Sequence, residues 1–231
     1  MGLHNNGYGP AGRLARPPVD LLICFAVKEE MKFFSCESWK AGGVQVWITG
    51  IGRHNAAQNI RDAIGRVQPE RVITAGFAGG LNPRLPFGAV VYEQDFDAGF
   101  GRELEELGAV AVRFYCHRRV AITAAEKSEL WRQTGADAVE MESSVIRTIC
   151  REFKIPSATV RVISDDARQD LPVDFNALMT ADDRISYLKL MWAVISRPSR
   201  IPKLIEFQRQ TLDAARRLGA VLEDLLGAER R

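Results

Sequence analysis

The sequence has no Cys-x-x-Cys pair and no His-Glu-x-x-His run. Its four cysteines, Cys24, Cys36, Cys116 and Cys150, are far apart, and Cys24 and Cys150 lie on apolar stretches. They read as reduced, mostly buried thiols, which excludes a disulfide frame and fits a reducing cytoplasm. His4, His54 and His117 are scattered, so no metal-ligand set emerges. No uninterrupted apolar run approaches the ~20 residues that span a bilayer. The first residues lack the apolar core of a secretory signal. They are rich in Gly, Pro and Asn without periodicity, and residues 1–19 are expected to be poorly ordered. Charge of one sign is also missing: 31 Lys and Arg stand against 29 Asp and Glu, a net +2, which leaves no electrostatic footprint for nucleic acid. No internal repeat or linker interrupts the chain.

What is present is an ordinary globular composition, 46% apolar and 26% charged, over 231 residues. That length suits one large domain, here 20–231 with a helical C-terminal extension. Apolar runs at 21–27, 43–50, 71–81, 88–94, 109–114, 119–123 and 157–164 predict strands. The third is expected to run into a Gly-rich turn. Ala56, Ile60, Ala63, Ile64 and Val67 repeat at helical spacing behind Asn55, a candidate cap. Short helices are expected over 102–107 and 124–135, the latter stopped by Gly135. Val145, Ile146, Ile149, Cys150 and Phe153 form a stripe on a helix from Ser143 that ends before Pro156. Beyond Asp183 the chain turns helical, breaks at "RPSRIP", and resumes as an amphipathic helix from Lys203 to Leu226. Alternating strands and helices predict a single-domain α/β fold with a mixed, largely parallel central sheet flanked by helices.

Ligands of such sheets bind beyond the carboxyl ends of the strands. That rule selects Glu29 and Glu30 in "AVKEEM", Gly52 in "TGIGRHN", Phe77, Ala78 and Gly79 in "AGFAGGL", and Ser164, Asp165 and Asp166 in "ISDD". Glycines there serve as tight turns or as anion cradles, and acids as helix caps or as ligands; no single stretch decides. A dinucleotide site in "GIGRHNA" is disfavoured, because Asn55 stands where the fingerprint needs glycine and no acid ends the next strand. "AVEMESS", 138–144, adds Glu140 and Glu142 around Met141. Two residues apart on a strand, the acids share a face; a turn into the helix is what would part them.

In order, "FAVKEEM", "TGIGRHNAAQ", "AGFAGGLNP", "GAVVYEQ", "AVEMESSVI" and "IPSATVRVISDDA" resemble the nucleoside phosphorylase/nucleosidase superfamily, in particular its 5′-methylthioadenosine/S-adenosylhomocysteine nucleosidase branch. The resemblance spans roughly residues 20–170. It implies cleavage of an N-ribosidic bond, with no metal or organic cofactor and with water or phosphate as nucleophile. By the same resemblance Asp165 protonates the departing purine at N7, Glu142 binds the ribose hydroxyls, and Met141 packs against the sugar. Glu30 activates water, Glu29 being the alternative should the register slip, and Arg161 lies at the water or phosphate site. Glu140 is left as a structural acid, so Glu142→Gln is expected to harm substrate handling far more than Glu140→Gln.

The chain departs from that branch at Phe77, where the family's turn carries a serine. It also lacks a counterpart of the purine-stacking aromatic, for which the stretch 122–125 is the substitute considered. These departures, with "AAEK…TGADAVEMES", "DDARQDLPVDFN" and "SRPSRIPKLIEF", resemble hopanoid-associated phosphorylases. That subgroup is linked to removing adenine from adenosylhopane, a nucleoside with a large apolar 5′ group. The expected partners are therefore a small-molecule nucleoside and further copies of the chain in a homo-oligomer. Leu188, Met191, Trp192 and Ile195 form a stripe that either packs in a core or oligomer or lines an apolar channel with weak membrane-surface contact. A nucleoside-binding protein without catalysis is the competing class.

Overall fold

The structure is a computed structural model and describes residues 19–35, 43–178 and 201–229. The segment 1–18 and the stripe at Leu188–Ile195 lie outside the described residues. In chain order the elements are β1 Val19–Phe25, β2 Val44–Ile48, α1 Arg53–Val67, β3 Pro69–Gly80, β4 Val90–Gln94, α2 Gly101–Glu106, β5 Val110–Ala111, β6 Phe114–Cys116, α3 Ala124–Thr134, β7 Ala138–Glu140, α4 Ser143–Glu152, β8 Ser157–Asp165, α5 Phe175–Leu178 and α6 Ile201–Glu229.

The strands form one eight-stranded sheet with the path β2-β1-β3-β8-β4-β5; β7 pairs with the end of β3 and β6 pairs with β7. Five pairings are parallel, and β3–β7 and β4–β8 are antiparallel. Strand alternation divides the core. Leu21, Ile23 and Phe25 of β1 pack with Leu218, Leu222 and Leu225 of α6. Leu22 and Cys24 pack on the other face with Ile60 and Ile64 of α1 and Ile146, Ile149 and Cys150 of α4. Burial on both faces is why β1 reads as a continuous apolar run from Leu21 to Phe25.

Several expected boundaries move for identifiable reasons. β1 stops at Phe25 because the Ala26 and Val27 N–H groups leave the ladder and donate to Glu30 Oε2, at 2.9 and 3.2 Å. The expected turn after β3 is instead strand as far as Gly80, with a register shift between Ala78 and Gly79. α1 starts at Arg53, so Asn55 falls inside its first turn rather than at its cap. The strand expected over 109–114 is split: Val110–Ala111 pairs with β4, and the chain then crosses to pair Phe114–Cys116 with β7. No strand forms over 119–123. Val120 pairs through N–H and C=O with the Asn176 side chain, and Ile122 O accepts from Leu171 N, so this segment is tied to 171–176 instead. Phe153, expected on the buried stripe of α4, caps that helix and is exposed. No helix of the described residues is long and apolar enough to cross a membrane.

Candidate active site

At the carboxyl ends of β1, β3, β7 and β8 the fold gathers Glu30, Glu140, Glu142, Arg161 and Asp165, all buried. Glu30 is reached by the sharp turn that ends β1. Its Oε2 accepts from Ala26 and Val27, and its Oε1 from the Phe77 N–H at 3.0 Å. Gly76 permits this approach, since a Cβ there would overlap Glu30 Oε1. Burial raises the Glu30 pKa, opposed by the Arg161 charge and the three backbone N–H groups. Glu29, one residue earlier, is exposed. The Phe77 side chain is half-buried against the cluster under α6, so at this position the backbone, not a hydroxyl, serves the site.

The two acids of "VEMES" separate. Glu140 Oε2 accepts from the Glu142 and Ser143 N–H groups at 3.1 and 2.7 Å, and Oε1 accepts from Ser143 Oγ at 2.8 Å. Glu140 thus satisfies the first free donors of α4, and its charge suits the positive end of that helix. The same carboxylate pairs with Arg161 at 3.0 Å, both side chains buried. Arg161 also donates to Thr74 O, Thr74 Oγ and Val160 O. Glu142 is left with one named donor, the Gly52 N–H at 2.8 Å. Gly52 can turn its amide there because its φ of 83° is open to glycine. Burial and the neighbouring Glu140 charge raise the Glu142 pKa to about 8, with a smaller push from Glu30. Met141, between them, is half-buried.

Asp165 belongs to a second group further along β3. A Cβ at Gly79 would sit 3.2 Å from Asp165 Oδ2, and one at Gly80 would press on the 165–167 backbone at 3.4 Å. These glycines therefore allow close approach of β8 and do not form an anion cradle. Ser164 Oγ lies 2.7 Å from Asp165 Oδ1 and 3.4 Å from Ala78 O. Asp165 Oδ2 pairs at 2.5 Å with Nζ of Lys127, a residue that the strand-end rule does not select. Helical spacing carried the missing signal: Lys127 and Leu130 share the buried face of α3. The stretch 122–124 also flanks this group, since Ile122 O and the Ala124 N–H bind Leu171 and the Asp170 carboxylate.

Among the described residues no cluster of three or more His, Cys, Asp or Glu has the arrangement of a metal site. The described thiols are poor nucleophiles: burial pushes Cys116 and Cys150 up to about 12 and Cys24 higher still.

A family model described as the phosphorylase superfamily matches residues 13–106 and 103–195. The chain belongs to the phosphorylase superfamily. Among its relatives in this superfamily, the 5′-methylthioadenosine/S-adenosylhomocysteine nucleosidase of Shewanella loihica is 28% identical over 174 residues, 59% of this chain and 75% of the relative. The enzyme of the same name from Bacillus velezensis is 27% identical over 183 residues, 63% of this chain and 78% of the relative. The Campylobacter jejuni nucleosidase structure superposes with a TM-score of 0.65 at 17% identity, over 92% of this chain and 100% of that one. Native futalosine hydrolase of Helicobacter pylori gives 0.64 at 15% identity, over 91% and 98%. At these identities the structures speak for a shared superfamily fold.

Proposed function

We propose that this enzyme of the phosphorylase superfamily cleaves the N-glycosidic bond of a purine nucleoside, a 5′-modified adenosine, and releases adenine. The observation that carries the proposal is the separation of buried carboxylates along β3. Glu30 meets the strand at Gly76 and Asp165 meets it at Gly79. Three strand residues span roughly 10 Å, room for a sugar with a nucleophile on one side and a base on the other. Breaking C1′–N9 sends the bond's electrons into the purine, and Asp165 supplies the proton at N7. Glu30 takes the proton of the attacking water, and the Glu142 carboxyl hydrogen-bonds the ribose hydroxyls. Met141 packs under the sugar, with Phe77, Ala78, Gly79 and Gly52 along its path and Ser164 orienting Asp165.

Relatives named 5′-methylthioadenosine/S-adenosylhomocysteine nucleosidases support adenine as the base. Water is favoured over phosphate. Four hydrogen bonds of Arg161 are spent on Thr74, Val160 and Glu140, so its guanidinium is committed within the fold. Arg161 then acts on the water by orienting the carboxylates. The chemistry calls for no metal or organic cofactor, and phosphate would enter only as a co-substrate. A large apolar 5′ group such as that of adenosylhopane is supported by the subgroup resemblance and by the apolar Phe77.

A panel of adenosines with hydrogen, methylthio, homocysteinyl and long alkyl 5′ groups, with and without phosphate, tests this. Free adenine and free sugar without phosphate are expected, fastest with the alkyl compound. Turnover only with phosphate, giving a sugar 1-phosphate, rejects the hydrolase. Tight binding without base release across the panel rejects catalysis.

A further inference from the structure

The least expected charged group in the fold is Lys127. It projects from α3 into the interior, is completely buried, and its ammonium meets three oxygens at the end of β8 and just beyond it. Asp165 Oδ2 forms an ion pair with it at 2.5 Å, and Asp166 O and Gln169 O each accept a hydrogen bond at 2.8 Å. Its hydrogen bonds to the two carbonyls hold that segment, and its charge also lies in ion-pair contact with the one carboxylate assigned as acid. Burying an ammonium is costly unless it is paired and hydrogen-bonded. Both Asp165 oxygens are engaged, Oδ1 with Ser164 Oγ and Oδ2 with Lys127.

We propose that Lys127 is a positioning residue and proton store behind Asp165, holding in the empty enzyme the proton that the departing purine receives. This rests on the N-glycosidic cleavage proposed above. As C1′–N9 breaks and electrons collect on the purine, one proton passes from Lys127 Nζ to Asp165 Oδ2 and one from the Asp165 carboxyl to N7. The pair is left as a neutral amine beside a carboxylate. Solvent returns one proton to the amine, balancing the proton that Glu30 takes from water. Until the base accumulates charge, the carboxylate remains an acceptor and accurately placed.

The test compares wild type, K127M and K127R in single-turnover and steady-state assays. The substrates are the best adenosine of the panel and a 4-nitrophenyl riboside with the same 5′ group, whose phenolate leaves without a proton. Arginine retains the buried charge but does not give up its proton in proteins, so it separates charge from proton supply. Melting temperatures identify folded variants, and K127R serves should K127M not fold. Both variants are expected to lose about 100-fold or more in kcat on the adenosine with KM little changed, the scale of general acid catalysis. They should retain most of the rate on the nitrophenyl riboside. K127R at the wild-type rate, or equal losses on both leaving groups, would overturn the relay and make Lys127 structural. A wild type that cleaves neither substrate overturns the proposed function and the relay with it, whereas an active wild type with unimpaired variants overturns the relay alone.

Discussion

Glu140 and Glu142 stand two residues apart and meet different surroundings. The strand ends at Glu140, whose carboxylate turns inward to cap α4 and hold Arg161; Glu142 faces the Gly52 amide across the site. The sequence shows the pair and the helix behind it, but not which acid the guanidinium takes, because that choice depends on β8 lying beside β3. Glu140 is structural yet not dispensable. Glu140→Gln is expected to cost about 3 kcal/mol, the scale for breaking a buried ion pair, measured by denaturant unfolding. A loss within experimental error would mean Arg161 finds another partner. Glu142 has a different signature. Its folded pKa of about 8 lies above the roughly 4.3 of an unfolded glutamate. Between these values the folded chain holds this extra proton, so the contribution of Glu142 to stability is full below about pH 4 and is lost as pH rises towards 8. Burial of Glu30 acts in the same direction. Glu142→Gln should flatten part of this decline between about pH 5 and 8. An unchanged slope would show that Glu142 is ionised throughout.

At the scale of elements, the glycines of β3 show why local sequence was ambiguous. "AGFAGG" looks like a turn or an anion cradle, yet it is strand, and its glycines make room for carboxylates from β1 and β8. The close approaches are long-range and leave no local mark. The run at 119–123 misled for a related reason: its apolar pattern is real, but its backbone partners are Asn176 and Leu171 rather than another strand. α6 was legible, because the spacing of Ala214, Leu218, Leu222 and Leu225 is helical and one-sided. Its two buried and half-buried glycines should behave oppositely. A Cβ at Gly219 would lie 2.5 Å from Phe33 O, whereas one at Gly227 meets nothing within 4 Å. Gly219→Ala is therefore expected to destabilise by about 2 kcal/mol through overpacking. Gly227→Ala should stabilise by up to about 1 kcal/mol through helix propensity. Equal effects in chemical denaturation would show that α6 does not sit against the turn after β1.

For the whole molecule, the doubly covered sheet was legible from alternating apolar runs, and the site's place from the rule that ligands lie beyond strand carboxyl ends. Three residues chosen on that basis, Glu30, Phe77 and Gly52, share one network of hydrogen bonds and charge, through β3 and Glu140, with Glu142 and Arg161, which the family resemblance supplied. Asp165 stands in the adjoining group with Ser164 and Lys127. Lys127 was missed because a lysine in a helix is normally solvated, although its spacing from Leu130 puts it on the buried face of α3. The central claim is that the two groups act on either side of one N-glycosidic bond. Single-turnover release of adenine from a 5′-alkylated adenosine, by wild type and by D165N, tests it most directly. Stoichiometric adenine from wild type is predicted, with D165N slower by about 100-fold or more at nearly unchanged affinity. Equal rates, or no adenine from the wild type with or without phosphate, would contradict it.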